Sequence, residues 1–386
     1  MDFTLSEAGQ RIRETAREFA EAELAPVAAE IDQTGSFPRE LAERLGEVGF
    51  TGGTLPEEYG GAGLEYTELV SVIAQLARFS TRAATIAGWP SCSLGEGTMR
   101  YGSERLKQEY IAPTARGELF GAQAVTEPHS GTDVVRNLET TAERDGDAYR
   151  IDGTKAWISN LDLADWLVTF AQLDEDAEPS YRGTIAVIIE TDWDGVELTP
   201  ERPIMGERDL CSGRVDLDAV RVPIENRVGE EGEGYKVLMA GTELGRLACA
   251  ARAVGKLDQC LRESVEYATE REVFDQPIGE YQLVQQKIAD MKTGYEASRL
   301  LTLWLADLID RGAERAQQEA AIAKRFTTNA AQEAAADAVQ LHGANGVSET
   351  AQTVARHYRD TKVDQIYDGT NDVQTVIIGE HELGYR

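Results

Sequence analysis

The sequence predicts an α+β multidomain chain ordered helical, then β, then helical. Three observations carry that reading. Apolar residues recur at helical spacing through residues 1–118, and short alternating runs broken by Gly, Asp and Pro fill 119–228. Long helical patterns return within 229–386.

In the first block Ile12, Ala16, Phe19 and Ala20 share one helical face, and Leu41, Leu45 and Val48 share the next. The stretch from Tyr66 to Ala77 places Leu69, Ile73 and Leu76 on a third. Pro26, Pro38, Pro56 and the Gly-rich TGGTLPEEYGGAGLEY punctuate these helices. In the middle block AYRI, WLVTF, TIAVIIE and GRVDLD are the strand candidates. Asp152–Gly153, between Tyr149-Arg150-Ile151 and Lys155-Ala156-Trp157, is a two-residue hairpin signal. Roughly a hundred residues without a βαβ rhythm suit a barrel or sandwich. After the acidic GEEGEGY, residues 235–270 form one long helical pattern that stops near Phe274–Pro277. Residues 281–310 form a second, with Val284, Ile288, Met291, Tyr295, Leu301, Trp304, Leu305 and Leu308 on a broad face. The Ala-rich 316–341 forms a third, ended by His342–Gly343, and a last helix starts near Thr370. Long neighbouring helices of this kind make an up-and-down bundle.

The chain has 386 residues, of which 42% are hydrophobic, enough for a sizeable core in two or three units. Asp and Glu number 68 against 38 Lys and Arg, a formal charge of −30, and the cations divide into 30 Arg and 8 Lys. Such a surface repels polyanions, which argues against nucleic acid and anionic membranes as partners. It suits a high-salt cytoplasm, where screening relieves self-repulsion; an acidic mesophilic enzyme is the alternative. Cys92, Cys211, Cys249 and Cys260 form no C-x-x-C pair, and His129, His342, His357 and His381 have no metal-ligand spacing, so no disulfide framework or metal site is expected. No apolar signal core or membrane-spanning run is present, which gives the expectation of a soluble cytoplasmic protein.

No nucleophile elbow, Walker loop or G-x-G-x-x-G sequence occurs. Three polar loops stand out instead. Ala124-Val125-Thr126-Glu127-Pro128-His129-Ser130-Gly131-Thr132-Asp133 follows a strand and is rich in donors for a planar or phosphorylated ligand, although an ordinary strand exit has the same composition. Trp157-Ile158-Ser159-Asn160 sets an aromatic beside a hydroxyl, suited to one edge of a heteroaromatic ring or to a half-buried strand. Ile366-Tyr367-Asp368-Gly369-Thr370-Asn371-Asp372 turns at Gly369, with Thr370 or Asn371 able to cap the next helix. That puts the Asp368 carboxylate beside a helix N-terminus, where a carbonyl oxygen is held while a carboxylate takes a proton; a plain capping loop looks similar.

Taken together, AVTEPHSGTD, QLHGANGVSE with HYRDTKVDQIYDGTNDVQTVIIGEHELG, REVFDQPIGEYQLVQQKIADM, LPEEYGGAGL and YGSERLKQEYIAPTARGE resemble the acyl-CoA dehydrogenase family along nearly the whole chain. The resemblance implies an N-terminal all-α domain, a middle β domain and a C-terminal four-helix bundle, assembled as a homotetramer or dimer. It implies FAD against Val125, Thr126, Trp157, Ile158 and Ser159, with Thr132 near flavin phosphate or substrate and Thr370 and Asp372 just after the catalytic loop. A neighbouring subunit would supply Arg271, Phe274, Gln282, Gln340 and Gly343. Arg246 and Gly369 would line the acyl-CoA side, and electrons would pass to an electron-transfer flavoprotein.

Asp368 stands where the family usually places Glu, one methylene and about 1.5 Å shorter. The alternative base position, directly before Arg246, holds Gly245, and Glu243 is turned roughly 200° around the helix from it. Arg136 replaces a small residue of the first signature. The implied reaction is α-proton removal by Asp368 and β-hydride transfer to flavin N5. The thioester carbonyl would be held by a ribityl hydroxyl and the Asp368 N–H. The base being Asp also admits a related oxidase, since nitroalkane oxidase is a relative that uses Asp. Relatives that bind DNA do so through a basic C-terminal extension, which does not match a chain of −30 ending at Arg386. Ala84 falls where the glutaryl-specific branch has an arginine, with Arg82 two places away, so a dicarboxylate substrate is not supported.

Overall fold

The N-terminal block folds into α1 (Glu7–Phe19), α2 (Ala28–Thr34), α3 (Arg39–Glu47), α4 (Tyr66–Ala77), α5 (Thr81–Gly88) and α6 (Gly95–Tyr101), with short α7 (Glu104–Leu106) and α8 (Ala112–Ala115). The structure, a computed structural model, describes residues 5–134, 136–200, 204–313, 316–349 and 353–385. Caps fix the helix starts: Ser6 Oγ accepts from the Gly9 N–H, Ser80 Oγ from the Ala83 N–H, and Glu65 and Glu68 form a capping box on α4. The helix expected from Tyr66 to Ala77 is α4.

The middle block is one sheet of β1 (Gly121–Ala124), β2 (Thr141–Asp145), β3 (Ala148–Ile158), β4 (Trp166–Gln172), β5 (Thr184–Glu190), β6 (Val196–Pro200), β7 (Gly213–Pro223) and β8 (Arg227–Val228). Its order is β6-β7-β3-β2-β4-β5-β8, with β1 parallel to β4. Both faces of β4 and β5 are covered. Leu167, Ala171, Ile185 and Val187 enter the core between the sheet halves. Val168, Phe170, Ala186 and Ile188 meet Leu106, Tyr110 and Ile111 of the helical block. Continuous apolar runs in WLVTF and TIAVIIE follow from that double burial.

The expected hairpin at Asp152–Gly153 is overturned. β3 runs straight through those residues, and the hairpin lies at Gly146–Asp147, joining β2 to β3. Asp152–Gly153 is instead a bulge against β7, where the register shifts and Asp152 Oδ1 accepts from the Ala219 N–H at 2.8 Å. Gly is required there because a Cβ would lie 2.5 Å from Thr140 Oγ1.

The C-terminal block contains α9 (Gly234–Ala240), α10 (Thr242–Glu270), the small hairpin β9 (Glu272–Val273) and β10 (Gln276–Pro277), α11 (Gln282–Asp310), α12 (Gln317–His342), α13 (Val354–Asp364) and α14 (Asn371–Glu382). The single helix expected over 235–270 is broken at Gly241, whose Cβ would meet the Ser93 backbone at 2.7 Å. Alanines of α12 pack closely on Ala253, Leu257 and Cys260 of α10 and Met291 of α11. The two helical blocks also share a core: Leu69, Val72, Ile73 and Leu76 of α4 meet Leu247, Ala248 and Ala251 of α10 and Leu303 and Leu305 of α11. α10 is therefore buried along most of its length and positions the residues around the 365–370 turn.

Candidate active site

The turn between α13 and α14 is held from several sides. Asp368 has φ +53° and Gly369 φ +83°, two successive left-handed residues, and the former is rare for a side-chain-bearing residue. Thr370 caps α14, its Oγ1 accepting from the Val373 N–H at 3.2 Å. Asn371, the other cap candidate, instead donates to Asn329 Oδ1 at 2.8 Å. Lys324 Nζ and Gln374 Nε2 donate to the Gly369 carbonyl at 3.0 and 2.7 Å. Among the described residues no hydrogen bond uses the Asp368 backbone N–H. That donor sits beside the α14 N-terminus, where the helix dipole favours negative charge.

The Asp368 side chain, 30% exposed, lies on α10. A Cβ at Gly245 would stand 3.1 Å from Asp368 Oδ1 and 3.4 Å from its Cγ, and Arg252 Nη2 is 3.5 Å from Oδ2. Arg252 also stacks over the Tyr367 ring at 5.1 Å and donates to its hydroxyl at 3.3 Å. One turn further along α10, Lys256 Nζ donates to Glu207 Oε1 at 2.7 Å and Asp364 Oδ2 at 2.9 Å. The Tyr367 hydroxyl lies between Glu207 Oε1, at 3.0 Å, and Asp364 Oδ1, which share its one hydrogen. Burial pushes the Glu207 carboxyl up to about 8 against the pull of Lys256. Lys256 is held protonated by Asp364 and Glu207 in spite of its burial. Two cations thus face the carboxyl groups of Glu207, Asp364 and Asp368, and burial favours the neutral form of Glu207.

On the sheet side, the loop after β1 is pinned to β3. Glu127 turns inward, accepting from the N–H groups of Glu139 and Thr140 at 2.6 and 3.0 Å and from Lys155 Nζ at 2.7 Å. Burial lowers the Lys155 amine to about 8. Lys155 also reaches the Val125 carbonyl, and the Thr126 carbonyl accepts from the Ala156 N–H at 2.9 Å, so Val125 and Thr126 flank the strand that carries Trp157, Ile158 and Ser159. Trp157 has φ +59° where β3 loses register with β7, and the residue is 63% exposed; Ile158 is buried and Thr132 is exposed. Gln123 of β1 donates to the Ser93 carbonyl at 3.4 Å, and Ser93 packs on Gly245 beneath Asp368, which links this strand to the turn.

Arg271, Phe274, Gln282, Gln340 and Gly343 gather at the far end of the bundle, where Tyr267 stacks on His342 at 4.2 Å. All five are exposed, Phe274 by 87% at the tip of the β9–β10 hairpin. Arg252 and Arg271 are separated along α10 by roughly 30 Å at 1.5 Å per residue. These five residues and Asp368 of one chain therefore cannot line the same ring system.

Family models match the chain along its length: acyl-CoA dehydrogenase N-terminal domain over residues 6–118, middle domain over 122–220 and C-terminal domain over 232–383. The chain belongs to the acyl-CoA dehydrogenase family. It is 37% identical over 374 residues to an acyl-CoA dehydrogenase of Bacillus subtilis (strain 168), covering 97% of each. The structure of butyryl-CoA dehydrogenase from Megasphaera elsdenii matches with a TM-score of 0.94 at 33% identity, covering 99% of this chain and 100% of that one. A chain solved in a study of the electron transferring flavoprotein of Acidaminococcus fermentans matches with a TM-score of 0.95 at 35% identity, covering 99% and 100%. The three-part α–β–α fold expected from the sequence is thereby established.

FAD is the cofactor of an acyl-CoA dehydrogenase, and the residues here fit it. The uncovered Trp157 ring offers an apolar face to a planar heterocycle, with the Ser159 and Thr126 positions beside it. The Phe274 ring, uncovered on its own chain, suits a cofactor reached from a second copy.

Two residues considered in the sequence are engaged elsewhere. Glu243 Oε2 accepts from the Ala316 N–H at 3.1 Å, which places it in the approach to α12. Arg82 is fully buried and bonds Asn160, Asp162 and the Asp209 carbonyl, clamping α5 to the sheet domain rather than facing a distal substrate carboxylate. Arg246 is buried on α10, and Lys324 is held below the usual lysine value first by burial and also by the Arg246 charge. Sequence reasoning missed Arg252, Lys256, Glu207 and Asp364. The available signal was two cations at i and i+4 inside RLACAARAVGKLDQC, an otherwise apolar helical run.

Proposed function

We propose that the chain oxidises a short-chain acyl-CoA thioester to the trans-2-enoyl-CoA in fatty acid β-oxidation. The carrying observation is Asp368, a partly exposed carboxylate whose own unused backbone N–H lies at a capped helix N-terminus. Asp368 takes the α-proton, and its N–H donates to the thioester carbonyl, where negative charge develops. FAD, when bound, accepts the hydride from the β-carbon. Val125, Thr126, Thr132, Trp157, Ile158, Ser159, Thr370 and Asp372 hold it from one chain, and Arg271, Phe274, Gln282, Gln340 and Gly343 of a neighbouring copy hold its adenine-diphosphate half. Thr132, Arg246 and Gly369 face the acyl-CoA. The assembly is a homo-oligomer, a tetramer in preference to a dimer, and an electron-transfer flavoprotein takes the electrons. The resemblance to butyryl-CoA dehydrogenase supports a short acyl group.

The purified protein should be yellow, and butyryl-CoA should bleach it anaerobically. Replacing Arg271 by Ala should lower FAD occupancy, read as the 450 to 280 nm absorbance ratio. A colourless preparation that takes up no flavin on refolding in salt sinks this reading. A flavin left oxidised by butyryl- to octanoyl-CoA but bleached by a nitroalkane selects the oxidase alternative.

The same reading includes a salt-adapted cytoplasmic enzyme. At −30 the native surface repels itself, and Lys155, Lys256 and Lys324, three of only eight lysines, are buried. Among the described residues no helix is long and apolar enough to cross a membrane. The melting temperature should rise from 0.1 to 2 M potassium chloride, as the Debye length falls from about 10 Å to about 2–3 Å. A flat or falling series removes the salt adaptation and leaves the enzymatic reading untouched.

A further inference from the structure

Asp368 meets two demands that a side chain does not satisfy alone. Its backbone sits at φ +53°, a conformation that persists only where the surroundings over-determine it. Its carboxylate is also one methylene shorter than Glu, so its placement has little slack.

Both ends of that carboxylate rest on one stripe of α10. Gly245, Cys249, Arg252 and Lys256 follow the i, i+4, i+7, i+11 spacing and share a face. Side chains on a helix lean toward its N-terminus, so Arg252 reaches back toward Gly245. Oδ1 lies over the bare Gly245 backbone, and Oδ2 is in ion-pair range of Arg252. The neighbouring polar groups are turned to other work: the Cys249 thiol to the Asp364 carbonyl, Lys324 to the Gly369 carbonyl, and Lys256 to Glu207 and Asp364. Arg252 is the cation within 4 Å of the Asp368 carboxylate among the described residues. Tyr367 in turn fixes Arg252, through its ring face and its hydroxyl.

We propose that Gly245 and Arg252 form a seat for the short base, with Arg252 a positioning residue that engages Oδ2 and leaves Oδ1 to take the proton. This rests on Asp368 being the base. The glycine belongs to the same device, because a Cβ at 245 would stand 3.1 Å from Oδ1 and press the carboxylate away from α10. The absence of a carboxylate at that position and the shortness of the base are then one design: Asp368 rests against α10 at the point from which a residue-245 side chain would press it away.

The test is anaerobic stopped-flow reduction of the holoenzyme across a butyryl-CoA series, which separates the limiting rate from the apparent Kd. Arg252→Gln keeps a donor for the Tyr367 hydroxyl but removes the cation. Its limiting rate should fall at least tenfold while Kd stays within about twofold, and Arg252→Lys should recover part of the loss. Solvent deuterium uptake at the α-carbon of acetyl-CoA, which has no β-hydrogen to lose, should slow by a similar factor. Gly245→Ala, which leaves the buried ion pairs intact, should slow reduction several-fold without changing Kd, and it keeps the test open if Arg252→Gln folds poorly. In the Asp368→Asn background Arg252→Gln should add nothing. Wild-type reduction by both Arg252→Gln and Gly245→Ala overturns the seat. So does an Arg252→Gln defect that appears in Kd alone or persists in full in the Asn background. Wild-type reduction by Asp368→Asn itself removes the base assignment, an outcome read separately from any Arg252 variant.

Discussion

Asp368→Asn should leave the protein folded and yellow while flavin reduction by butyryl-CoA slows by about 10²- to 10⁴-fold, the usual contribution of a positioned general base. Asn keeps the shape of the side chain and tolerates the left-handed backbone at φ +53°, so the turn, the Thr370 cap and the Lys324 contact with Gly369 should survive. What is lost is the proton acceptor. Asp368→Glu is the more discriminating change. The Asp carboxylate already lies against the Gly245 backbone, so there is no room behind it for another methylene. The added length must project away from α10 and out of range of Arg252. Glu should therefore stay within about tenfold of wild type on straight-chain acyl-CoA while becoming insensitive to Arg252→Gln. Severe impairment would mean that the surroundings are fitted to Asp and crowd the longer chain. An Asn variant with wild-type reduction places the base elsewhere, with Glu243 tested first.

Much of this arrangement was legible because local pattern and tertiary role agreed. α4 begins at Tyr66 and ends at Ala77 where periodicity and caps place it, and Thr370 caps α14 as its sequence suggests. Asp152–Gly153 misled because the same dipeptide serves a tight turn and a bulge. The choice was made by Thr140 and Ala219, residues distant in sequence that press on the strand from both sides. α13 went unseen because its polar residues, among them His357, Asp360 and Asp364, are buried, so no hydrophobic stripe announced it. The seat of Asp368 was hidden for a related reason. Arg252 and Lys256 read as surface charges until Glu207 from the sheet domain and Asp364 from α13 are brought onto them. Their place in an otherwise apolar helical run signals that they are buried, but not which distant carboxylates they meet.

Lys256→Met should destabilise the fold by about 3–5 kcal/mol, the range for removing one partner of a buried ion pair. Met matches the stem in length and leaves no large cavity, so the loss is electrostatic. Glu207 and Asp364 would be left side by side in the interior with Tyr367 as their shared donor. The pH dependence fixes the cause. Burial already raises the Glu207 carboxyl to about 8, above its unfolded value, so the folded state binds the extra proton between roughly pH 4.5 and 8. From this group, stability is fully present below the unfolded value and is lost as pH rises through the folded one. Without Lys256 that window should extend upward, because the largest charge opposing the desolvation is gone and only Arg252 still pulls the carboxyl down. The gap in stability between wild type and Lys256→Met should therefore be wider at pH 8.5 than at pH 6, measured by denaturant melts in one buffer salt. Glu207→Gln, which keeps an acceptor for Lys256 but carries no charge, should be far milder at pH 7 than Lys256→Met. A gap that stays constant from pH 6 to 8.5 would assign the loss to packing of the Lys256 stem instead. Because Asp364 and Tyr367 precede Asp368 in the same turn, the Lys256 variant should also slow flavin reduction before it unfolds, whereas a defect confined to melting would separate the cluster from the base it adjoins.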